Sequence, residues 1–180
     1  KENYRPGQMD GHSSAVAQAV EHAATVKGML IVVAAGNEAN NGWTVLSTPG
    51  DAEHALTVGS SQLLVWDKAR FSSIGPTFLS YVKPDVVVYS GTGTSYSAPI
   101  VTGLAACIKQ SDPTLSNHEI VEIVQKSGHL YPYPNNYMGF GVPKCELVLK
   151  IMKDEPAEID RPEVIKTKKN RLKIPLELKE

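Results

Sequence analysis

Met29 to Ala35 reads Met-Leu-Ile-Val-Val-Ala-Ala and has no polar position. A strand with one wet face alternates apolar and polar residues, so an unbroken run suits a strand covered on both sides. Ala55 to Ser60 reads as a second buried strand, and Pro84-Asp85-Val86-Val87-Val88 as a third. Leu63 to Trp66 is a candidate short strand. Helical spacing surrounds these segments. From Ser13 or Ser14 as cap, Val16, Val20, Ala23 and Ala24 form one stripe, with Gln18 and Glu21 on another. Lys27 and Gly28 close that helix. Ser95 to Gln110 places Ile100, Gly103, Leu104 and Cys107 at helical spacing, and Pro99 is tolerated in the first turn. Ser116-Asn117-His118-Glu119 has the form of a capping box for a helix ending near Lys126 and Gly128. Val142 to Met152 reads as a last helix with Pro143 near its first position. Strands alternating with helices predict an α/β fold, a parallel sheet flanked by helices.

Length and charge narrow the function classes. The 180 residues suit one domain with a small appendage. A net charge of −1 gives no nucleic-acid footprint and no polybasic membrane patch. The apolar runs are too short for a membrane span. The chain starts at Lys1 with neither an initiator Met nor a secretory signal, and is read as a processed piece. Cys107 and Cys145 are too few for a disulfide framework and form no metal-ligand pair, so buried free thiols are expected. After Lys153 the composition turns charged, and Leu172, Ile174, Leu176 and Leu178 alternate with Arg171, Lys173, Pro175 and Glu177. That is a half-buried strand pattern, pairing with Val164-Ile165 through a turn at 168–170, with Pro175 marking an edge. The division expected is 1–152 for the main unit and 153–180 for a charged linker and hairpin-like tail.

Gly93-Thr94-Ser95-Tyr96-Ser97-Ala98-Pro99 bears the chemistry. A hydrolytic serine needs access to a carbonyl carbon, a base for its proton, and donors for the oxyanion. Ser95 opens a helix, where unpaired N–H groups and the helix dipole favour negative charge. Gly93 lets a substrate backbone approach. Asn37 follows the apolar run at the strand's C-terminal end, where α/β folds bind ligands, and its side-chain NH₂ is a second oxyanion donor candidate. Each has a plainer reading: Ser95 as a helix cap, Asn37 as a turn residue. Tyr131 and Tyr133 read as loop packing. Asp51, Glu53, Asp154 and Glu155 lack the spacing of a calcium loop and read as solvated surface.

Gly93-Thr94-Ser95 through Pro99 resembles the Gly-Thr-Ser-x-x-x-Pro stretch around the nucleophile of subtilisin-like serine peptidases, with Ser-Ala where many members have Ala-Ser. Ala34-Ala35-Gly36-Asn37-Glu38 is similar to the family's oxyanion segment. Leu56-Thr57-Val58-Gly59-Ser60, Phe71-Ser72-Ser73-Ile74-Gly75-Pro76 and Lys83-Pro84-Asp85-Val86 follow in the family's order. Asp10-Gly11 and Gly139-Phe140-Gly141-Val142-Pro143 look like its punctuation, so the likeness covers roughly 9–152. The resemblance implies the C-terminal portion of a subtilisin-like catalytic domain, with a small C-terminal β extension. It implies Ser95 as nucleophile, Asn37 as oxyanion donor, Ala34, Ala35 and Gly36 lining the substrate pocket, and Thr94 as a supporting hydroxyl. It implies peptide or protein substrates, a secreted or periplasmic parent, and no cofactor, calcium in the parent having no support from these residues.

Two departures stand out. The family's Asp and His precede the serine, each in its own motif, and Asp10-Gly11-His12 lacks the His-Gly-Thr context. His12 reads as a solvent-facing residue near a helix start, His22 and His54 as helix-surface and strand-edge residues. His118 falls in the capping box and His129 after a helix stop. The second departure is the short link from Asp85 to Ser95, where the family implies a longer excursion. The expectation is therefore the Ser-bearing part of an endopeptidase, inactive alone, whose partner is the missing N-terminal half of the domain or a second copy across an exposed sheet edge. The alternative is a pseudo-peptidase that binds or assembles without catalysis. A hydrolase of the nucleophile-elbow type needs Gly-x-Ser-x-Gly, and 93–97 ends in Ser.

Overall fold

The computed structural model describes residues 4–64, 67–156, 165–166 and 172–173. Three strands, β1 (Val32–Ala34), β2 (Leu56–Ser61) and β3 (Val86–Tyr89), form a parallel sheet in the order β1-β2-β3. Val33 faces Thr57 in register, and Gly59 faces Val87.

Period-two alternation assigns the two faces. Leu56, Val58 and Val86, with Val32 and Val88, pack against helix α2 (Thr94–Ser111) through Val101, Ala105 and Ile108. Behind α2 lie α3 (Asn117–Lys126) and α4 (Cys145–Met152), which add Ile120, Ile123, Val124 and Val148 to the same core. On the opposite face, α1 (Ala15–Thr25) sets Ala17 and Val20 against Val33, Ala52 and Ala55. The predicted helix-flanked parallel sheet is the observed one. β4 (Ile165–Lys166) and β5 (Leu172–Lys173) pair antiparallel as a small β extension. The rest of the expected tail strand, 174–178, lies outside the described residues.

Caps explain several boundaries. The Ser14 side chain accepts the N–H groups of Val16 and Ala17. Ser116 and Glu119 form the reciprocal capping box expected for α3. Helix α1 stops sooner than predicted, because Gly28 at φ +63° turns the chain and Met29 N–H returns to the Ala23 carbonyl. Helix α4 starts later than predicted, since Pro143 bridges Gly128 instead of opening it. No strand forms at Leu63 and Leu64, where the chain bends; Val65 and Trp66 lie outside the described residues.

Two burial expectations are corrected, and the buried face of α2 is fixed. Cys107 and Cys145 are free but exposed. The buried stripe of α2 is Ser97, Val101, Ala105 and Ile108, with Leu104 partly buried beside it, so Ile100, Gly103 and Cys107 face outward. Asp51 is fully buried, unlike the exposed Glu53, Asp154 and Glu155, and its Oδ2 accepts the Gly11 N–H at 2.9 Å.

Below the sheet's N-terminal side, Lys83-Pro84-Asp85 forms an internal tie. Lys83 is 1% exposed and its Nζ lies 2.7 Å from Asp85 Oδ2 while also donating to the Ala55 carbonyl. Asp85 accepts the Thr57 N–H at 2.6 Å and Gln125 Nε2 at 2.9 Å. One carboxylate thus joins β2, the start of β3 and α3.

Candidate active site

Two segments leave the C-terminal end of the sheet on either side of β2. Strand β1 runs out into Ala35, Gly36 and Asn37, and β3 turns through 90–93 into the first residues of α2. That turn is closed by Ser90 Oγ donating to the Gly93 carbonyl at 2.8 Å and Thr92 N–H donating to the Ser90 carbonyl at 2.9 Å. The short link from Asp85 to Ser95 is a strand, this turn and a helix start.

Gly93 is the N-cap of α2 and has no side chain with which to cap. Asn37, in the loop that follows β1, supplies the cap from across β2. Its Oδ1 accepts the Thr94 N–H at 2.9 Å and the Thr94 hydroxyl at 3.1 Å. Thr94 Oγ1 in turn accepts the Gly36 N–H at 3.1 Å. These bonds fix the amide's orientation, since only the carbonyl end can accept them. The NH₂ end is left to donate elsewhere, and it faces Gly93, where a Cβ would come within 3.4 Å of it.

Ser95 directly follows Thr94 and is exposed. Among the described residues its hydroxyl makes no hydrogen bond. Its backbone N–H falls in the first turn of α2, where helices have no internal acceptor. Ala34 and Gly36 are half-buried beside this point, and Ala35 is fully buried with its N–H on the Val58 carbonyl at 2.9 Å. The residues singled out in the sequence therefore fall into one neighbourhood at the C-terminal end of the sheet, with a hydroxyl and two N–H sources around it.

The histidines are elsewhere engaged or exposed. Asp10 accepts the backbone N–H groups of His12 and Ser13 and the Ser13 hydroxyl, forming a turn before α1. Burial would raise the Asp10 pKa, but those bonds outweigh it and hold the carboxyl below its ordinary range. His54 Nδ1 lies 2.6 Å from Glu21, on the turn before β2 rather than on a strand edge. His129 Nδ1 accepts the Val142 N–H at 2.8 Å, and burial, helped by Lys144, pushes its pKa down to about 4. His12, His22 and His118 are exposed. Among the described residues no hydrogen bond joins a histidine to Ser95.

Sequence reading missed Ser73. It is fully buried; its N–H donates to the Gly36 carbonyl at 3.0 Å and its Oγ accepts the Glu38 N–H at 2.9 Å. A Ser-Ser pair before Ile-Gly-Pro reads as a turn, and only the fold shows what it holds.

The model of the subtilase family, Peptidase_S8, matches residues 2–141. The chain belongs to the subtilase family. Serine protease AprX of Bacillus subtilis is 30% identical over 60% of this chain and 32% of its own length. Subtilisin BL of Lederbergia lenta is 37% identical over 60% of this chain and 41% of its own length. Among solved folds, MycP1 from Mycobacterium smegmatis superposes with a TM-score of 0.59 at 24% identity, covering 94% of this chain and 50% of that one. Sphericase gives 0.60 at 22% identity, covering 73% and 53%. At that identity the likeness is one of fold. This subtilase chain spans about a quarter to two-fifths of the length of the curated relatives it matches.

Proposed function

We propose that the protein carrying this chain is a serine endopeptidase that cleaves peptide bonds through an acyl-enzyme. Ser95 Oγ attacks the carbonyl carbon and its proton passes to a histidine base. The C–N bond breaks, the proton goes to the leaving amine, and water then releases the acyl group. Asn37 Nδ2 and the Ser95 N–H stabilise the oxyanion, Ala34, Ala35 and Gly36 line the pocket for the side chain before the scissile bond, and Thr94 supports the nucleophile. The histidine and its aspartate come from the part of the family's fold beyond this chain's length. In this reading residues 1–152 are the Ser-bearing part of the catalytic domain, 153–180 a tail, and the parent is secreted or periplasmic, acting on peptides or proteins.

One observation carries the proposal: the Asn37 carbonyl caps the helix one residue before Ser95, which leaves its NH₂ beside the helix start where an oxyanion would form. A fluorophosphonate probe tests it. Labelling of the intact protein at Ser95, lost in Ser95→Ala, is expected.

A binding or assembly role without catalysis is the second reading. It is favoured by the lack of any histidine bonded to Ser95 among the described residues. An intact, folded protein that the probe leaves unlabelled would establish that reading.

A further inference from the structure

Ser73 is a buried hydroxyl without a part in the reaction above. It sits in the segment 71–74, which threads between two arms of the loop 36–46. On the far arm, Ile74 N–H donates to the Thr44 carbonyl at 3.3 Å and the Ile74 carbonyl accepts the Leu46 N–H at 2.8 Å. On the near arm, the Phe71 carbonyl accepts the Ala39 N–H at 3.2 Å. Between these, Ser73 grips the residues on both sides of Asn37: its N–H holds the Gly36 carbonyl at 3.0 Å, and its Oγ holds the Glu38 N–H at 2.9 Å.

Gly36 makes this approach feasible. Its φ of +101° is one that side-chain-bearing residues rarely adopt, and a Cβ there would lie 3.1 Å from Ser73 Oγ. The opposite side of Gly36 is held by Thr94, whose hydroxyl accepts its N–H and donates to Asn37 Oδ1. Backbone bonds on both flanks and a side-chain bond on the amide leave Asn37 little freedom.

We propose that Ser73 is the positioning residue for Asn37, fixing the backbone on both sides of it so that its NH₂ is aimed before substrate arrives. This rests on the reading of Asn37 as an oxyanion donor, and it deepens that reading. Oxyanion stabilisation depends on donors that need no reorganisation, and a misplacement of about 1 Å can cost about a hundredfold in rate. Ser73 touches no reacting atom; its effect is on rate through Asn37.

Ser72 supplies a matched control. It is equally buried, and its Oγ accepts one backbone N–H, that of Ser60 in β2, at 3.0 Å. Loss of either hydroxyl removes one buried bond, but only Ser73 adjoins Asn37. In the intact protein, Ser73→Ala is expected to shift the ¹H–¹⁵N resonances of the Asn37 side-chain NH₂ and to speed Glu38 amide exchange about tenfold. Ser72→Ala is expected to leave both as they are. Kinetics on the same variants should show Ser73→Ala lowering kcat with KM little changed. Should Ser73→Ala not fold, Ser73→Cys keeps the volume with only a weak sulfur acceptor and reads out the same signals. Unchanged Asn37 and Glu38 signals on altering Ser73, or equal changes from Ser72→Ala, would overturn the proposal. Because the spectra need no turnover, a clamp that holds in a protein the fluorophosphonate probe cannot label would sink the peptidase reading alone.

Discussion

Asn37 uses the two ends of one amide differently. Its carbonyl replaces the cap that Gly93 cannot provide, and its NH₂ stays available beside Gly93 at the start of α2. Asn37→Ala removes both. If the NH₂ meets the oxyanion, kcat of the intact protein should fall by about 10²–10³, with KM less affected; unchanged kcat would leave Asn37 as a cap and nothing more. His129 is a residue whose hydrogen bond depends on its protonation. Its Nδ1 can accept the Val142 N–H only while unprotonated, and burial first, then Lys144, lowers its pKa to about 4. The folded state therefore binds this proton less readily than the unfolded chain, whose histidine titrates near 6.5. The stability His129 contributes is complete above pH 6.5 and is lost as pH falls from there towards 4. Partial exposure discounts it to about 1 kcal/mol. Thermal melts across that range should show a steeper loss for the parent than for His129→Gln.

At the scale of elements, the Lys83–Asp85 pair is where one change should cost most. Asp85→Ala leaves a lysine that is 1% exposed without its counter-charge and frees Gln125 and the Thr57 N–H. A loss of about 3–5 kcal/mol is expected, read by urea unfolding; a variant within 1 kcal/mol of the parent would show that ~3 kcal/mol is too high for this site. The Lys-Pro-Asp motif was visible in the sequence as a strand start and a family motif but not as an internal tie, because nothing local reveals that Lys83 turns inward. Legibility followed the range of the interactions. The Ser116–Glu119 capping box is local and was readable residue by residue. Pro143 was misread because its partner, Gly128, lies across the chain. The buried face of α2 was not readable for another reason: Thr94 to Ile108 has no charged residue to mark an outer face, so spacing alone could not choose between the Ile100–Cys107 and the Val101–Ile108 sides.

At the scale of the molecule, the parallel sheet was legible because buried strands have strong local signatures, and the grouping of Asn37 with the start of α2 because 34–38 and 93–99 resemble paired family motifs. The base that would serve Ser95 was not, since none of the five histidines carries a signature for it. The outer side of α2 also bears Tyr96 and Ile100 at 65% and 52% exposure, and β1 pairs on one side only among the described residues. Apolar helix surface and an open strand edge favour association. The 180-residue chain made alone should therefore elute larger than a monomer, or pair with the remainder of the domain when the two are mixed. A compact monomer indifferent to that remainder would contradict this. Whether Asn37 and Ser95 serve one oxyanion is read most directly from a crystal structure of the intact protein bearing a phosphonate adduct. Phosphorus is expected bonded to Ser95 Oγ, with a phosphoryl oxygen about 2.7–3.1 Å from Asn37 Nδ2. An adduct on another residue, or an oxygen turned away from Asn37, would contradict that expectation.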